Sequence, residues 1–337
     1  MIKKRPVHLH FRLFTVYCLL CTGLGFSQQN IRMHQLISGK NEVKVQVITQ
    51  DHSRTLWVGT ETGLVSYNGI AYKLFQKKDG LADNSVTALF EAPDSTLWIG
   101  HANGKISLRK NGVISPFSEQ DTSNRERITC FMHDSKENTW IATYGSGAYK
   151  YDGKTLTKYD SDNGLGDDYV YTMSEPSPGN IWMGTDAGIT IVDGEPKKDK
   201  EKFQRITTRN GLPDNIVQII SKDKTGKIWI TMRDSGFCNY DIAEKKIIRP
   251  GLKGGWKFGP IYSMIEDYAG AVWIGAETQG GLIAFIVRNN NIFVFRLQVI
   301  MNIPIRKFYA CMKTLKKISG WEQKKVLASI AEAVSKC

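Results

Sequence analysis

Six segments of the chain repeat one pattern. They are Leu56-Trp57-Val58-Gly59-Thr60, Leu97-Trp98-Ile99-Gly100, Thr139-Trp140-Ile141-Ala142-Thr143, Ile181-Trp182-Met183-Gly184-Thr185, Ile228-Trp229-Ile230-Thr231 and Val272-Trp273-Ile274-Gly275. The tryptophans are spaced by 41, 42, 42, 47 and 44 residues, so six of the eight in the chain hold one position of one unit. A unit of this length has room for four short strands. In the second, Val86 to Glu91, Thr96 to Gly100, Lys105 to Arg109 and Val113 to Phe117 alternate apolar and polar side chains. Pro93-Asp94, Asn103-Gly104 and Asn111-Gly112 separate them, and Asn-Gly is a strong hairpin signal. A four-stranded sheet has two apolar faces that only neighbouring sheets can cover, so the repeat predicts the blades of an all-β propeller.

On this reading Trp57, Trp98, Trp140, Trp182, Trp229 and Trp273 are packing residues between blades. Six residues before the tryptophan stands Asp51, Asp134, Asp223 or Asp267; the second unit shifts its acid to Asp94, and the fourth has Pro176. These aspartates are expected to accept backbone N–H groups in the turn between the first two strands. Six units are countable, and Ile31 to Leu36 reads as the outer strand of a preceding blade, able to close the ring by joining the last sheet. Both a six-bladed and an incomplete seven-bladed ring remain open.

Between units runs a second signature: Asp79-Gly80-Leu81-Ala82-Asp83-Asn84-Ser85-Val86, Asn163-Gly164-Leu165-Gly166-Asp167-Asp168-Tyr169-Val170 and Asn210-Gly211-Leu212-Pro213-Asp214-Asn215-Ile216-Val217. The glycine permits a positive φ, the leucine anchors the connection over the blade gap, and the Asp or Asn caps loop backbone. This linker, the acidic turn, the Trp strand and a following Gly-Leu-x-x-Tyr-x-Gly together resemble the two-component regulator propeller repeat over residues 31 to about 286. The linkers at Asp121 to Arg127 and Gly251 to Gly259 depart from the pattern. The resemblance implies the periplasmic sensor part of a hybrid two-component system, a type found especially in Bacteroidetes, where many members sense polysaccharide breakdown products. It also implies further blades, an immunoglobulin-like module, a membrane span and a histidine kinase, none of which is visible here. After Phe285 the pattern decays, and the end of the chain reads as truncated or frame-shifted.

The ends also account for the charge. The formal charge is +12, but residues 1–27 hold four basic and no acidic side chains and residues 286–337 hold ten basic and two acidic, which leaves the body neutral. A neutral body lacks the footprint that phosphate binding needs, so nucleic acid is excluded as the main ligand. Lys3, Lys4 and Arg5, an apolar run from Phe11 to Phe26 and the small residues Gly25 and Ser27 lay out a secretory signal over 1–27, with an uncleaved anchor the second choice. The division is then signal peptide 1–27, propeller 28–297 and a basic, partly helical tail 298–337. The chain would be periplasmic or otherwise exported, touching a membrane only through its export signal. Of six cysteines only Cys130 and Cys238 lie in the body, in different positions of different repeats, and both are expected as small buried hydrophobes.

No catalytic constellation is legible. The histidines show no metal-ligand spacing, Gly145-Ser146-Gly147 is not a nucleophile elbow, and no phosphate loop or cofactor motif occurs. The loops between second and third strands share a face with the linkers and converge on the central channel. They bring Glu61, His101, Tyr144, Asp186, Arg233 and Glu277 there, with Asn84, Asp168, Asn215 and Trp256 from the linkers. Polar and aromatic side chains converging at a channel mouth suit a polyhydroxyl ligand. The sequence therefore predicts a non-enzymatic oligosaccharide sensor without cofactor or metal. The alternative is an envelope scaffold that self-associates or holds a protein partner. A propeller lyase, which would need His101 with Glu61 or Glu277 on a metal, ranks third.

Overall fold

Each unit folds into a four-stranded antiparallel sheet whose strands follow one another in sequence. The computed structural model describes residues 44–118, 126–198, 203–249 and most of 256–297. The expected export signal, the strand expected at Ile31 to Leu36 and the tail 298–337 lie outside the described residues. Among those described there are six sheets, here blade 1 (45–75), blade 2 (86–116), blade 3 (128–159), blade 4 (172–206), blade 5 (217–248) and blade 6 (261–297). In blade 2 the strands are Val86–Glu91, Leu97–His101, Ile106–Lys110 and Val113–Pro116, each within a residue of the boundaries read from the pattern. The fourth strand of the last sheet is Asn291–Leu297.

The inner strands Val45–Gln50, Val86–Glu91, Ile128–His133, Thr172–Ser177, Val217–Lys222 and Ile261–Glu266 lie against one another in that order. Every tryptophan of the first five blades is buried in the seam between its own blade and the next. Trp57 packs with Val86, Leu97 and Ile99. Trp98 packs with Ile128, Phe131 and Ile141, and Trp140 with Met173, Ile181 and Met183. Trp182 meets Ile220, Ile228 and Ile230, while Trp229 meets Ile261, Met264 and Ile274. Trp273 is only partly buried. The glycine two residues after the tryptophan follows from this close packing: a Cβ at Gly59 would lie 2.7 Å from Val86 of the next blade, and one at Gly100 2.6 Å from Ile128.

The aspartate before the tryptophan does two jobs. Oδ1 of Asp134 accepts the N–H groups of Lys136 and Asn138, both at 2.9 Å, which forms the turn, and Oδ2 accepts the indole N–H of Trp140 at 2.7 Å. Asp51 with Trp57 and Asp223 with Trp229 repeat the indole bond at 2.8 Å. Trp98 and Trp182 have Ala92 and Pro176 at the corresponding place, and Asp267 lies outside the described residues.

In blades 2, 4, 5 and 6 the residue one place earlier reaches back to the turn of the preceding blade, whereas in blade 3 it is His133, 3.4 Å from Glu137 of its own turn. Glu91 accepts the N–H of His52 at 3.0 Å, Glu175 that of Ser135 at 2.8 Å, and Glu266 that of Lys224 at 3.0 Å. In blade 5 the position is Lys222, whose ammonium donates to the Pro176 carbonyl at 2.6 Å. Donor and acceptor thus match what the turn offers. Glu175 also accepts from the Ser135 hydroxyl and the Gly179 N–H, both at 2.7 Å. Glu175→Ala is accordingly expected to cost about 1–2 kcal/mol, measured by urea unfolding, whereas Glu137→Ala in the exposed turn beside it should change little.

Three linkers share one conformation. A 3-10 turn (Lys77–Asp79, Ser161–Asn163, Thr208–Asn210) ends at a glycine with φ of 101°, 120° or 99°, and the next residue, Leu81, Leu165 or Leu212, is buried in a seam. Asn84, Asp168 and Asn215 close the turn by accepting the N–H of Lys77, Ser161 and Thr208 at 2.7–2.9 Å. Cys238 is wholly buried and burial pushes its thiol up to about 12; Cys130, in a different blade, is only partly buried rather than a buried hydrophobe as expected.

Candidate ligand-binding face

In blades 1, 2, 3 and 5 the loop after the second strand hydrogen-bonds to the residue that leads into the inner strand. The N–H of Glu61 donates to the Lys44 carbonyl at 3.2 Å, Ala102 to Ser85 at 3.0 Å, Tyr144 to Arg127 at 2.9 Å and Arg233 to Ile216 at 3.1 Å. This face therefore collects residues at three spacings from the tryptophan: four after it, thirteen before it and eleven before it. The last row is Gln46, Thr87, Thr129, Tyr171, Gln218 and Tyr262. In blades 1, 2, 3, 5 and 6 the register skips one residue at this place, a β-bulge that turns its side chain out of the sheet's alternation. Thr87 uses the freedom to donate to the Ile128 carbonyl at 2.7 Å and Thr129 to donate to Val170 at 2.6 Å, each across a seam.

The face is uneven from blade to blade. On the side of blades 3 to 5 the linker after blade 3 pairs directly with that blade's loop. Val170 N–H donates to Thr143, Gly145 and Gly147 donate to the Asp168 carbonyl at 3.1 and 2.9 Å, and Tyr144 bridges Tyr169. Tyr144 and Tyr169 are 44% and 41% exposed, with ring centroids 4.9 Å apart at 76°. Tyr171 stands 5.8 Å from Tyr144 at 63°, and its hydroxyl donates to Asp186 Oδ1 at 2.8 Å while lying 3.5 Å from Arg233. Burial, and after it the hydrogen bond to Asp186, pushes the Tyr171 phenol far above its ordinary range, so it stays a donor.

Of the expected residues, Tyr144, Asp186 and Arg233 are brought together through Tyr171. Glu61 stands apart on blade 1 and pairs with Lys44 at 3.2 Å. His101 does not reach the face. It is wholly buried, with Nε2 2.8 Å from the Ser107 hydroxyl and Nδ1 without a partner, and burial lowers its pKa to about 4. The place it fills belongs to Thr60, Thr143 and Thr185 in three other blades, which donate to loop carbonyls at 2.7–3.0 Å. Trp256 packs edge-on to Phe237 at 6.0 Å and covers Gly236, with its N–H on the Gly259 carbonyl at 3.3 Å, so its ring is part of a packed seam. Glu277 pairs with Leu282 in the backbone, and its side chain lies outside the described residues. Asn84, Asp168 and Asn215 are the turn-closing groups described above. The row eleven residues before the tryptophan, Tyr171 above all, was missed. Counting back from each tryptophan finds it once the bulge is known. Among the described residues no group of three or more His, Cys, Asp or Glu is placed to hold a metal ion, and no helix is long and apolar enough to cross a membrane.

Residues 80–103, from the linker glycine through the second-strand loop of blade 2, match the family model described as two component regulator propeller, so this stretch is a repeat of that family. No curated protein matches the chain in sequence. Among solved structures, the extracellular domain of a protein described as a hybrid two component system from B. thetaiotaomicron is 18% identical with a TM-score of 0.60, over 75% of this chain and 35% of that one. Virginiamycin B lyase from Staphylococcus aureus is 13% identical with a TM-score of 0.57, over 82% and 88%. PorZ, a surface component of the type-IX secretion system of Porphyromonas gingivalis, is 17% identical with a TM-score of 0.55, over 73% and 39%. At these identities the likeness is one of propeller fold. The chain spans about a third of the length of the B. thetaiotaomicron domain.

Proposed function

We propose that the chain is an exported, non-enzymatic ligand-binding propeller that serves as the input part of a signalling system and takes an oligosaccharide. The observation that carries the reading is the cluster of Tyr144, Tyr169 and Tyr171 with Asp186 and Arg233 on the face where loops and linkers meet. Exposed rings offer flat apolar contact, and a carboxylate and a guanidinium beside them offer an acceptor and a donor. The two-component regulator repeat at 80–103 supports the sensor role. His101, locked to Ser107 inside blade 2, and Glu61, paired with Lys44 on blade 1, do not form the His–Glu pair that a lyase reading requires. Titration calorimetry of the full chain against plant and host oligosaccharides should give saturable binding with no product formed. Turnover of a glycan, or no binding beside a stoichiometric protein partner from envelope extract, would overturn the proposal. That partner is the second reading, and one observation favours it: Ile70, Tyr72 and Leu74 at the outer edge of blade 1 are 91%, 51% and 47% exposed.

A further inference from the structure

Resting on the sensor reading above, we infer that the ligand is an uncharged ring polyol held off the channel axis, over blades 3 to 5, with two adjacent hydroxyls shared between Asp186 and Arg233. The first argument is the division of the mouth. Arg127 of blade 3 donates to Gln46 Oε1 of blade 1 at 3.0 Å, and Gln46 Nε2 donates to the Ser85 hydroxyl at 3.2 Å. This brace passes above the small side chains of blade 2, Ser85, Thr87 and Ala102, and engages the polar groups on that side with one another. Among the described residues no such side-chain bond crosses from blade 3 to blade 5, and the exposed tyrosines Tyr144 and Tyr169 stand there.

The second argument is unused hydrogen-bonding capacity. Among the described residues the Asp186 carboxylate has one hydrogen bond, from Tyr171 to Oδ1, and the Arg233 guanidinium has one long contact, 3.5 Å to the same hydroxyl. Oδ2 of Asp186 and most of the five guanidinium N–H groups are open to a ligand. Tyr171 lies between the two ions and fixes their spacing, so an acceptor and a donor are presented side by side next to aromatic rings. Adjacent hydroxyls on a pyranose match that pair, one donating to the carboxylate and the other accepting from the guanidinium, while the ring's C–H face lies on Tyr144.

The third argument selects against charge. A Cβ at Gly145 would stand 3.5 Å from the Tyr169 ring and 3.6 Å from the Glu126 Cγ, which puts this acidic side chain next to the platform, and Asp234 follows Arg233 in its loop. Asp186, Glu126 and Asp234 outnumber Arg233 and Arg127, the latter already donating to Gln46, so a carboxylate or sulfate on the bound ring meets like charge.

The test is calorimetry of the full chain at neutral pH with neutral oligosaccharides and their uronic-acid counterparts. Neutral ligands should bind at least about tenfold more tightly than the uronates. Tyr144→Ala should weaken binding about tenfold and Asp186→Asn by about tenfold or more. Glu61→Ala, on the braced side, should leave it unchanged, and thermal melts confirm that each variant is folded. Tighter binding of the uronates, or neutral binding indifferent to both Tyr144→Ala and Asp186→Asn, would overturn this assignment and leave the sensor reading standing. Failure of every glycan, neutral or acidic, would overturn the sensor reading and this inference with it.

Discussion

Trp140→Ala is expected to destabilise the propeller by about 3–5 kcal/mol, the range for truncating a large aromatic in a packed core, seen as a lower midpoint in urea unfolding. Trp140 is 2% exposed and fills the seam against Met173, Ile181 and Met183, so its loss opens a void between two blades rather than within one. Two further variants separate the ring from its N–H. Trp140→Phe keeps most of the apolar contact but removes the 2.7 Å bond to Asp134 Oδ2, which retains the Asn138 amide at 2.9 Å, at a cost of about 1 kcal/mol. Adding Asp134→Ala to Trp140→Phe should cost less than the two single changes predict, because the pair acts as a unit. Trp98→Phe, with Ala92 six residues before it, should lose only packing. Equal effects of Trp140→Phe and Trp98→Phe would show that the carboxylate adds nothing to the seam. Burial raises the Asp134 pKa, but hydrogen bonds from Asn138, Trp140 and backbone N–H groups outweigh it and hold the carboxyl below its ordinary 3.8. Its contribution is therefore present above pH 3.8 and is lost as the pH falls through the lower folded-state value.

A second acid transition, at higher pH, belongs to His101. The unfolded chain takes up a proton on this side chain near pH 6.5, whereas the folded chain, where burial lowers the pKa to about 4, does not until the pH is much lower. Between those values the unfolded state holds more protons, so stability falls as the pH drops from 6.5 to 4, by about 3 kcal/mol in all. His101→Thr installs the residue that blades 1, 3 and 4 use and removes the titration. Its absolute stability reflects the smaller side chain as well, so the readout is the slope. Unfolding free energy measured at pH 7, 5.5 and 4.5 should fall for the native protein and stay nearly flat for His101→Thr. Parallel slopes for the two proteins would rule out His101 as the source.

The architecture was legible because a blade cannot be stable alone: every unit carries the same bulky residue toward the next, and that repetition survives in the sequence. The strands of blade 2 could be placed to within a residue from Pro93-Asp94, Asn103-Gly104 and Asn111-Gly112. Turn chemistry was legible too, although Asp134 was read only for its backbone bonds. Its second oxygen reaches an indole six residues on, a contact set by the twist of the hairpin and not by any local pattern. The site was legible in part. Tyr144, Asp186 and Arg233 share one spacing from their tryptophans, and counting found them. Tyr171 escaped because its row holds Gln, Thr and Tyr indifferently, and in the five other blades that row is a bulge, a backbone feature with no fixed residue type. His101 was misplaced for a related reason. A polar residue at a strand end reads as loop, yet this one takes the buried position of a threonine whose hydroxyl it replaces with a ring nitrogen.

The links between each turn and the blade that follows also act as a lock on neighbour identity. Glutamates at 91, 175 and 266 answer turns that present N–H groups, and Lys222 answers the turn in which Pro176 presents a carbonyl. If blade 5 docked directly on blade 3 during folding, the Lys222 ammonium would face the Ser135 N–H, donor against donor. If blade 6 docked on blade 4, the Glu266 carboxylate would face the Pro176 carbonyl, acceptor against acceptor. Near-identical units invite such skipped assembly, a known failure of repeat proteins. The one donor among acceptors marks blades 4 and 5 as neighbours, so that leaving out either of them is penalised at the first contact made.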